Sequence, residues 1–310
     1  MQNFPLIILV GPTGVGKSEF AISLALNYQM EIVSADSLQV YRYLDIGTAK
    51  PSKEERKKVK HHLIDIVNPD EEFSAVQFME MAREVIDSLI RQRRSVLVVG
   101  GTGLYIKALI RGIFKGPGAD EDLRMTIKKE AQELGREHLF QKLKEIDPES
   151  ASRIHPNDTY RIMRALEVYY LTQKTMSSFQ SNHAFRESPY HYFKIGLERE
   201  RKELYQRIEE RVEKMIENGL IEEVEGILRK GYDPQLNPLQ SLGYRQIIRY
   251  LQDECGLDEA IRLIKRDTKR YAKRQLTWFK NDPEVKWFTL PQDAEKIEER
   301  IKTAIQWSVE

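Results

Sequence analysis

The sequence has very little cysteine and no long hydrophobic run. Cys255 is the single cysteine among 310 residues. This count excludes an internal disulfide network and a multi-cysteine zinc site within one chain, and it fits a reducing compartment. No apolar stretch approaches the ~18 to 20 residues of a membrane span, and the first residues lack the pattern of a signal peptide. We therefore expect a cytoplasmic protein that has no membrane partner.

Neither sign of charge is in excess. The 49 basic residues nearly cancel the 48 acidic ones and leave a net charge of +1. Overall charge therefore says little about partners, and any affinity for nucleic acid must come from local clustering. The length allows one large domain or two modest ones.

Short apolar runs alternate with helical patterns near the start of the chain. Residues 6–10, 31–35 and 95–100 are apolar runs bounded by glycine or polar residues, and each is followed by a helical pattern. This alternation predicts a parallel sheet with crossover helices. Residues 192–197 and 285–289 are candidates for two later strands.

A phosphate-binding loop lies between the first strand and its helix. The segment "GPTGVGKS" fits the pattern G-x-x-x-x-G-K-[ST] in the strand-to-helix context that the pattern requires. Its backbone N–H groups and the helix N-terminus attract phosphate, Lys17 adds an ammonium, and Ser18 can coordinate magnesium. The predicted diphosphate ligands are Gly11, Pro12, Thr13, Gly14, Val15, Gly16, Lys17 and Ser18. ATP, GTP and an organic pyrophosphate all offer the oxygens that such a loop binds.

The loop and the strand pattern together predict the fold class. We expect an α/β fold with a P-loop NTPase-like parallel sheet flanked by helices and an inserted all-helical domain. The sequence pattern predicts helix throughout residues 119–175. The helix-breaking segment "KGPGAD", residues 115–120, marks where this region begins. The predicted core comprises residues 1–114 and 191–310, and the predicted insertion comprises residues 115–190.

Two further strand ends carry candidate functional residues. Asp36 follows the second strand, where it can act as a base or can cap a local turn. The third strand ends in "GGTG", residues 100–103, which indicates either a backbone that a ligand approaches closely or a tight turn. A kinase would use Asp36 as base for a hydroxyl group, but it would often carry an aspartate where this chain has the glycines.

The helix predicted for residues 257–280 is strongly basic. Its apolar residues recur at helical spacing and predict one buried face, made of Leu257, Ile261, Ile264, Tyr271 and Trp278. The rest of its circumference carries six cations, Lys265, Arg266, Lys269, Arg270, Lys273 and Arg274. Such a cluster is typical either of a solvated surface or of a nucleic-acid interface, and its single sign favours the second. Arg161 and Arg164 form a smaller basic face on another helix, which suits phosphates and unstacked bases.

These segments resemble the tRNA dimethylallyltransferases, also called tRNA isopentenyltransferases, of the bacterial type. The likeness covers nearly the whole chain, and its motifs are "GPTGVGKS", "SADSLQVYRYLDIGTAKP", "HHLIDI", "FSAVQF", "GGTGLY", "PND", "RIMRALEV", "LYQRIEERVEKM", "LGYRQ" and "AKRQLTWF". The resemblance implies transfer of a dimethylallyl group from dimethylallyl diphosphate to the exocyclic N6 amine of the adenosine 3′ to the anticodon, with release of pyrophosphate.

The resemblance also implies roles for individual residues. Asp36, Thr102 and Lys17 correspond to catalytic positions, and Arg207 and Arg211 to diphosphate ligands. Surface ion pairs with Glu203 or Glu210 are the alternative for these two arginines. The positions that correspond to tRNA contacts are Asp36, Ser37, Leu38, Gln39, Thr102, Arg124, Tyr160, Arg161, Ile162, Met163, Arg164, Gln240, Gly243, Tyr244, Arg245, Lys273, Arg274, Gln275, Trp278 and Lys280. Relatives often carry Pro-Gln where this chain has Thr159 and Tyr160, and an aromatic ring there suits stacking on a loop base.

The expected cofactor is Mg²⁺, held through Ser18. The expected partners are the tRNA anticodon stem-loop and dimethylallyl diphosphate, and we expect a monomer. The adjacent His61 and His62 would point to opposite faces of a strand, so structural roles are favoured over a metal site. A small-molecule or nucleoside kinase is the alternative enzyme, and a noncatalytic RNA-binding protein regulated by nucleotide is the alternative from another class.

Overall fold

The core of the protein is a six-stranded, all-parallel sheet. The computed structural model describes residues 5–183 and 188–306. The strands are β1 (Leu6–Val10), β2 (Glu31–Ser34), β3 (His61–His62), β4 (Val96–Gly100), β5 (Tyr192–Glu198) and β6 (Val285–Thr289). Their order in the sheet is β3-β2-β4-β1-β5-β6, and every neighbouring pair is parallel. The predicted fold class and the five predicted strands are confirmed, and the short β3 adds a sixth.

Helices connect and cover the strands. They are α1 (Lys17–Asn27), α2 (Lys53–Lys58), α3 (Ala75–Arg91), α4 (Gly103–Arg111), α5 (Glu121–Leu134), α6 (Arg136–Ile146), α7 (Pro148–Arg153), α8 (Thr159–Thr172), α9 (Met176–His183), α10 (Arg201–Glu217), α11 (Leu220–Arg229), α12 (Tyr244–Leu251), α13 (Leu257–Lys280) and α14 (Ala294–Gln306). No helix in residues 5–183 or 188–306 is long and apolar enough to cross a membrane.

The two faces of the sheet pack into separate hydrophobic clusters. Alternate residues of β1 point to opposite faces, so Ile7 and Leu9 pack with α1, α10 and α14. Leu6, Ile8 and Val10 pack on the other face with α3 and α4. Burial on both sides explains why β1 reads as an unbroken apolar run and not as an alternating one.

The chain divides into two compact units, residues 1–110 with 188–310 and residues 111–187. The second unit contains α5 to α9, and its core includes Ile127, Leu139 and Leu166. The prediction of continuous helix from 119 to 175 was wrong in detail. Gly135 has a φ of +88° between α5 and α6, and the Asp147 carboxylate accepts the Ser150 N–H at 3.0 Å, which starts a new helix there. Residues 184–187 of the predicted insertion lie outside the described residues.

The helix α13 has the predicted bounds but a different buried face. Its buried residues are Ala260, Ile264, Thr268, Ala272, Gln275 and Phe279. Trp278, which the apolar pattern placed on the buried face, is 42% exposed. The stripe contains small and polar residues because α13 packs closely against backbone, so hydrophobicity alone could not locate it.

Candidate active site

Three loops converge at the carboxyl edge of the sheet. The phosphate loop follows β1, Asp36 lies two residues after β2, and Thr102 lies two residues after β4. Because β4 lies between β1 and β2, with Val10 beside Gly100 and Ser34 beside Val99, these strand ends are neighbours. Ligand sites of parallel sheets form at this edge.

The phosphate loop turns sharply into α1. Gly16 has a φ of +101°, a conformation that favours glycine, and it places the first N–H groups of α1 beside the loop. The Lys17 Nζ donates hydrogen bonds to the carbonyl oxygens of Gly11 and Pro12, both at 2.8 Å. These two hydrogen bonds hold the Lys17 ammonium against the backbone of the loop.

Burial disfavours the charged forms of two cations, Lys17 in the phosphate loop and Arg211 in α10. The pKa of Lys17 is lowered to about 7, mainly by burial and secondly by the charge of Arg211, while the charge of Asp36 opposes both effects. Burial also lowers the pKa of the Arg211 guanidinium, again opposed by Asp36. Two desolvated cations beside a phosphate loop form a site that an anion would stabilise.

Arginines next to and within α10 hold the phosphate loop from one side. The Arg207 Nε donates to the Gly14 carbonyl at 3.1 Å, and the Arg199 Nε donates to the Val15 carbonyl at 2.8 Å. Glu203 pairs with Arg199, and Glu210 accepts a hydrogen bond from Gln206. In residues 5–183 and 188–306, neither glutamate forms the ion pair with Arg207 or Arg211 that was the alternative.

Arg199 was not predicted from the sequence, because it lies outside the motifs that carry the family resemblance. It directly follows β5, a neighbour of β1 in the sheet, so its position at a strand end could have identified it.

Asp36 both caps a turn and faces the loop cations. Its Oδ1 accepts the Leu38 N–H at 2.9 Å and the Gln39 N–H at 3.2 Å. No hydrogen bond from another described residue reaches its Oδ2. One oxygen thus fixes the side chain while the other remains available to a substrate, so capping a turn and acting as a base are compatible.

Thr102 is tied to the loop that carries Asp36. The Thr102 Oγ1 accepts the Ser37 N–H at 3.0 Å and lies 3.4 Å from the Ser37 Oγ. The Thr102 N–H donates to the Ala35 carbonyl at 3.3 Å. These bonds hold Thr102 beside Ala35 and Ser37, the two residues that flank Asp36 in the chain.

The glycines of "GGTG" are approached closely by the protein itself. A methyl group on Gly100 would overlap the Ala35 carbonyl. On Gly101 it would overlap the Gln275 amide, and on Gly103 the indole of Trp278. The turn therefore needs glycine because β2 and α13 pack directly on its backbone.

The residues assigned to tRNA by the resemblance divide by exposure. Those with exposed side chains are Gln240, Tyr160, Arg161, Arg245, Lys273, Arg274, Trp278 and Lys280. Partly buried ones are Asp36, Ser37, Leu38, Thr102, Arg124, Met163 and Arg164, and the buried ones are Gln39, Ile162, Gly243, Tyr244 and Gln275. The buried side chains pack inside the protein, so in this structure they support the surface and do not form it.

Most cations of α13 are already paired with carboxylates. Lys265 pairs with Glu213 at 2.7 Å, and Lys269 pairs with Glu209. Arg266 and Arg270 share Asp267. Among the described residues, no acidic side chain pairs with Lys273 or Arg274. The basic surface is therefore concentrated near these two residues, in the second half of the helix.

Two glutamates, the partly buried Glu223 and the buried Glu167, organise segments that the resemblance assigns to RNA contact, and neither was predicted from the sequence. Glu223 accepts the N–H groups of residues 45–47 and the Tyr244 hydroxyl, and so fixes the loop that continues from Asp36. In the second unit Glu167 accepts from Arg124 and Arg164, and from the Asp120 N–H at 3.0 Å. Nothing in the local sequence distinguishes them from surface glutamates.

The two histidines have structural roles. The His62 Nε2 lies 2.6 Å from a Glu31 carboxylate oxygen, and the His61 Nδ1 lies 2.8 Å from the Val59 carbonyl. Within the described ranges no three His, Cys, Asp or Glu side chains come together as metal ligands. The Ser18 hydroxyl, exposed in the first turn of α1, has no hydrogen-bond partner among the same residues.

The fold and the site define an enzyme of the P-loop class, and comparisons with known proteins specify the family. Residues 39–282 match the family model described as IPP transferase. The chain is 54% identical over 291 residues to tRNA dimethylallyltransferase 2 of Geotalea uraniireducens, with 94% of each chain covered.

Solved structures agree with this match. The tRNA isopentenylpyrophosphate transferase of Bacillus halodurans has a TM-score of 0.73 and 39% identity, and the alignment covers 99% of this chain and 98% of that one. A eukaryotic dimethylallyltransferase acting on tRNA has a TM-score of 0.79 and 26% identity, with coverage of 96% and 77%. The chain belongs to the tRNA dimethylallyltransferase family and is an enzyme of that family.

Proposed function

We propose that this protein transfers the dimethylallyl group of dimethylallyl diphosphate to the N6 amine of the adenosine that follows the anticodon in tRNA. The observation that carries the proposal is the arrangement of Asp36 beside Thr102 and the cationic phosphate loop. The charge of Asp36 acts on both Lys17 and Arg211, so the carboxylate is close enough to the loop cations for one substrate to meet both. The names of the relatives support the same reaction.

The reaction needs a proton acceptor and a stabilised leaving group. The adenine amine forms a bond to the allylic carbon, and the bond between that carbon and the diphosphate oxygen breaks with its electron pair on pyrophosphate. The amine proton passes to the free oxygen of Asp36, because a positioned base assists a weak nucleophile. Lys17, Arg207 and Arg211 stabilise the charge that develops on pyrophosphate.

Magnesium fits this site. Ser18 offers one exposed hydroxyl oxygen at the loop. Few protein ligands are sufficient for Mg²⁺, because the ion keeps several waters and also binds phosphate oxygens of the substrate. When bound, the ion would neutralise part of the diphosphate charge.

We propose two RNA-contacting sets, one in each unit. In the first unit, Lys273 and Arg274 have no acidic partner among the described residues, and Trp278 is 42% exposed. In the second unit, Tyr160 is 75% exposed beside Arg161. Cations with an exposed aromatic side chain suit the phosphates and unstacked bases of an anticodon loop. We further propose that the enzyme acts as a monomer in the cytoplasm.

The test is incubation of the purified protein with Mg²⁺, unmodified tRNA and dimethylallyl diphosphate, followed by nucleoside mass spectrometry, with ATP in a parallel tube. We expect one dimethylallyl group on adenosine, and none with ATP. Phosphate transfer or hydrolysis of ATP without prenylation would favour the kinase alternative. RNA binding without either reaction would favour the noncatalytic alternative.

A further inference from the structure

The buried side chain of Gln275 joins two loops of the candidate active site. Gln275 lies on the inner face of α13 and is 6% exposed. Its Oε1 accepts the Thr13 N–H of the phosphate loop at 2.8 Å. Its Nε2 donates to the Gly101 carbonyl of the turn after β4 at 3.0 Å. One amide group thus bridges the strand ends of β1 and β4.

The turn is shaped to admit this side chain. A methyl group on Gly101 would overlap the Gln275 Nε2, so glycine at that position leaves the space that the amide occupies. Gly101 leads directly to Thr102, whose Oγ1 accepts the Ser37 N–H at 3.0 Å. A continuous series of contacts therefore runs from the phosphate loop through Gln275 to the segment that carries Asp36.

A second side chain of α13 reaches the same place. Tyr271 lies one helical turn before Gln275 on α13. Burial raises the pKa of the Tyr271 hydroxyl, and the negative charge of Asp36 raises it further. The inner face of α13 thus borders the space between Asp36 and the phosphate loop.

We propose that Gln275 is a positioning residue for group transfer, which sets the distance between the diphosphate loop and the wall formed by Thr102 and Asp36. This inference rests on the proposed function. The family resemblance assigns Gln275 to RNA contact, but its two amide atoms are both engaged inside the protein, so its effect is on the diphosphate side.

The physical reason is the geometry that the reaction requires. The carboxylate and the leaving group act on atoms of one transition state, and a small misplacement of either lowers the rate strongly. A buried amide with both polar atoms satisfied is rigid, and replacing it with an apolar group leaves an N–H and a carbonyl without partners. Gln275 can thus fix the distance between the phosphate loop and the segment with Thr102 and Asp36 more narrowly than packing alone would.

The main test compares Gln275→Met with the wild type and with Thr268→Val. Methionine keeps the length of the side chain and removes both hydrogen bonds. Thr268 lies two turns earlier on the same buried face, and its hydroxyl bonds only the Ile264 carbonyl of its own helix. For each protein the single-turnover rate at saturating RNA, the KM for dimethylallyl diphosphate, the Kd for an anticodon stem-loop and the thermal unfolding are measured.

We expect Gln275→Met to lower the single-turnover rate by about ten- to a hundredfold and to raise the KM for the diphosphate. Its Kd for RNA should stay within about twofold of the wild type, because the amide bonds backbone atoms of the phosphate loop and of the turn after β4 and is itself buried. Thr268→Val should match the wild type in all kinetic values.

A second variant approaches the same contact from the other side. Gly101→Ala displaces the Gln275 amide without changing the glutamine, so it should reproduce the kinetic losses. Gly101→Ala in the Gln275→Met background should add little, because the contact is already lost. If Gln275→Met does not fold, Gly101→Ala alone decides the question.

Two results would overturn the inference. One is a weaker Kd for RNA with an unchanged single-turnover rate, which would make Gln275 an RNA contact. The other is unchanged kinetics in both Gln275→Met and Gly101→Ala. Failure of the proposed function is a separate result, because the wild type would then transfer no dimethylallyl group in the same assay.

Discussion

At the scale of single residues, Lys17 is a cation whose charged form is disfavoured by its surroundings in the protein. Its pKa is lowered to about 7 from 10.5, first by burial and then by Arg211. The folded-state value lies below the value expected of an unfolded chain, so between these two pH values the unfolded chain binds more protons. Stability from this group therefore rises with pH from about 7 to 10.5 and is lowest below pH 7.

Replacing Lys17 with methionine should stabilise the empty protein while abolishing transfer. One pKa unit corresponds to about 1.4 kcal/mol, so we expect the free energy of unfolding at pH 6 to rise by on the order of a few kcal/mol. The gain should shrink as the pH is raised from 7 towards 10, where the wild-type lysine loses its proton. Urea unfolding at several pH values measures this, and a gain that is absent at pH 6 or that grows with pH would contradict the account.

The positions of candidate site residues were predictable where a local motif marks them. The loop residues 11–18 and the strand-end position of Asp36 follow from short sequence patterns, and Thr102 follows from the resemblance. Gln275 and Arg199 were not recognised as loop partners, because the backbone atoms that they contact are 262 and 184 residues away in the sequence. Such contacts arise only from tertiary packing.

At the scale of elements, α13 packs on the turn between β4 and α4. Trp278 lies against Gly103 at the start of α4 while part of its indole remains exposed. The turn therefore orients an aromatic ring that we propose contacts RNA. The helix bounds were predictable from periodicity, but the exposure of Trp278 was not, because the buried stripe is set by this backbone packing.

Substitution of Gly103 by alanine should weaken RNA binding through Trp278. The added methyl group would overlap the indole and displace it, so we expect the Kd for an anticodon stem-loop to rise by about five- to tenfold, as for loss of one stacked base. Trp278→Ala should give a similar loss. Gly103→Ala should have no further effect in the Trp278→Ala background.

Gly226→Ala is the matched control for this prediction. Gly226 lies in α11, where an added methyl group meets no atom within 4 Å. Its RNA affinity should equal that of the wild type. Additive losses in the Gly103→Ala and Trp278→Ala double variant would show that the glycine acts through something other than the indole.

At the scale of the whole molecule, charge pairing decides where RNA can bind. The net charge is only +1, and four of the six α13 cations that the sequence presents have carboxylate partners. Lys273 and Arg274 differ from these four, since no described acidic side chain pairs with them. The sequence predicted the cluster correctly, but distant partners such as Glu209 and Glu213 reduce its effective size.

This difference predicts that Lys273 and Arg274 contribute more to the salt dependence of RNA binding than the paired cations do. Replacing both Lys273 and Arg274 with alanine should reduce the slope of log K against log salt by about 1 to 2, as expected for the loss of phosphate contacts. The matched control replaces Lys265 and Lys269 with alanine and should change the slope little. Equal effects of the two pairs, measured by fluorescence anisotropy at several salt concentrations, would refute the assignment.

The most direct test of the central claim is the single-turnover rate of Asp36→Asn with bound tRNA and dimethylallyl diphosphate. Asparagine keeps an oxygen that can accept the N–H groups of Leu38 and Gln39, so the turn remains while the base is lost. The account predicts a rate lower by about 10² to 10⁴, with unchanged RNA affinity and unfolding temperature. A rate equal to that of the wild type would contradict a role of Asp36 as the base. Asp36 would then have only the structural role of capping the turn.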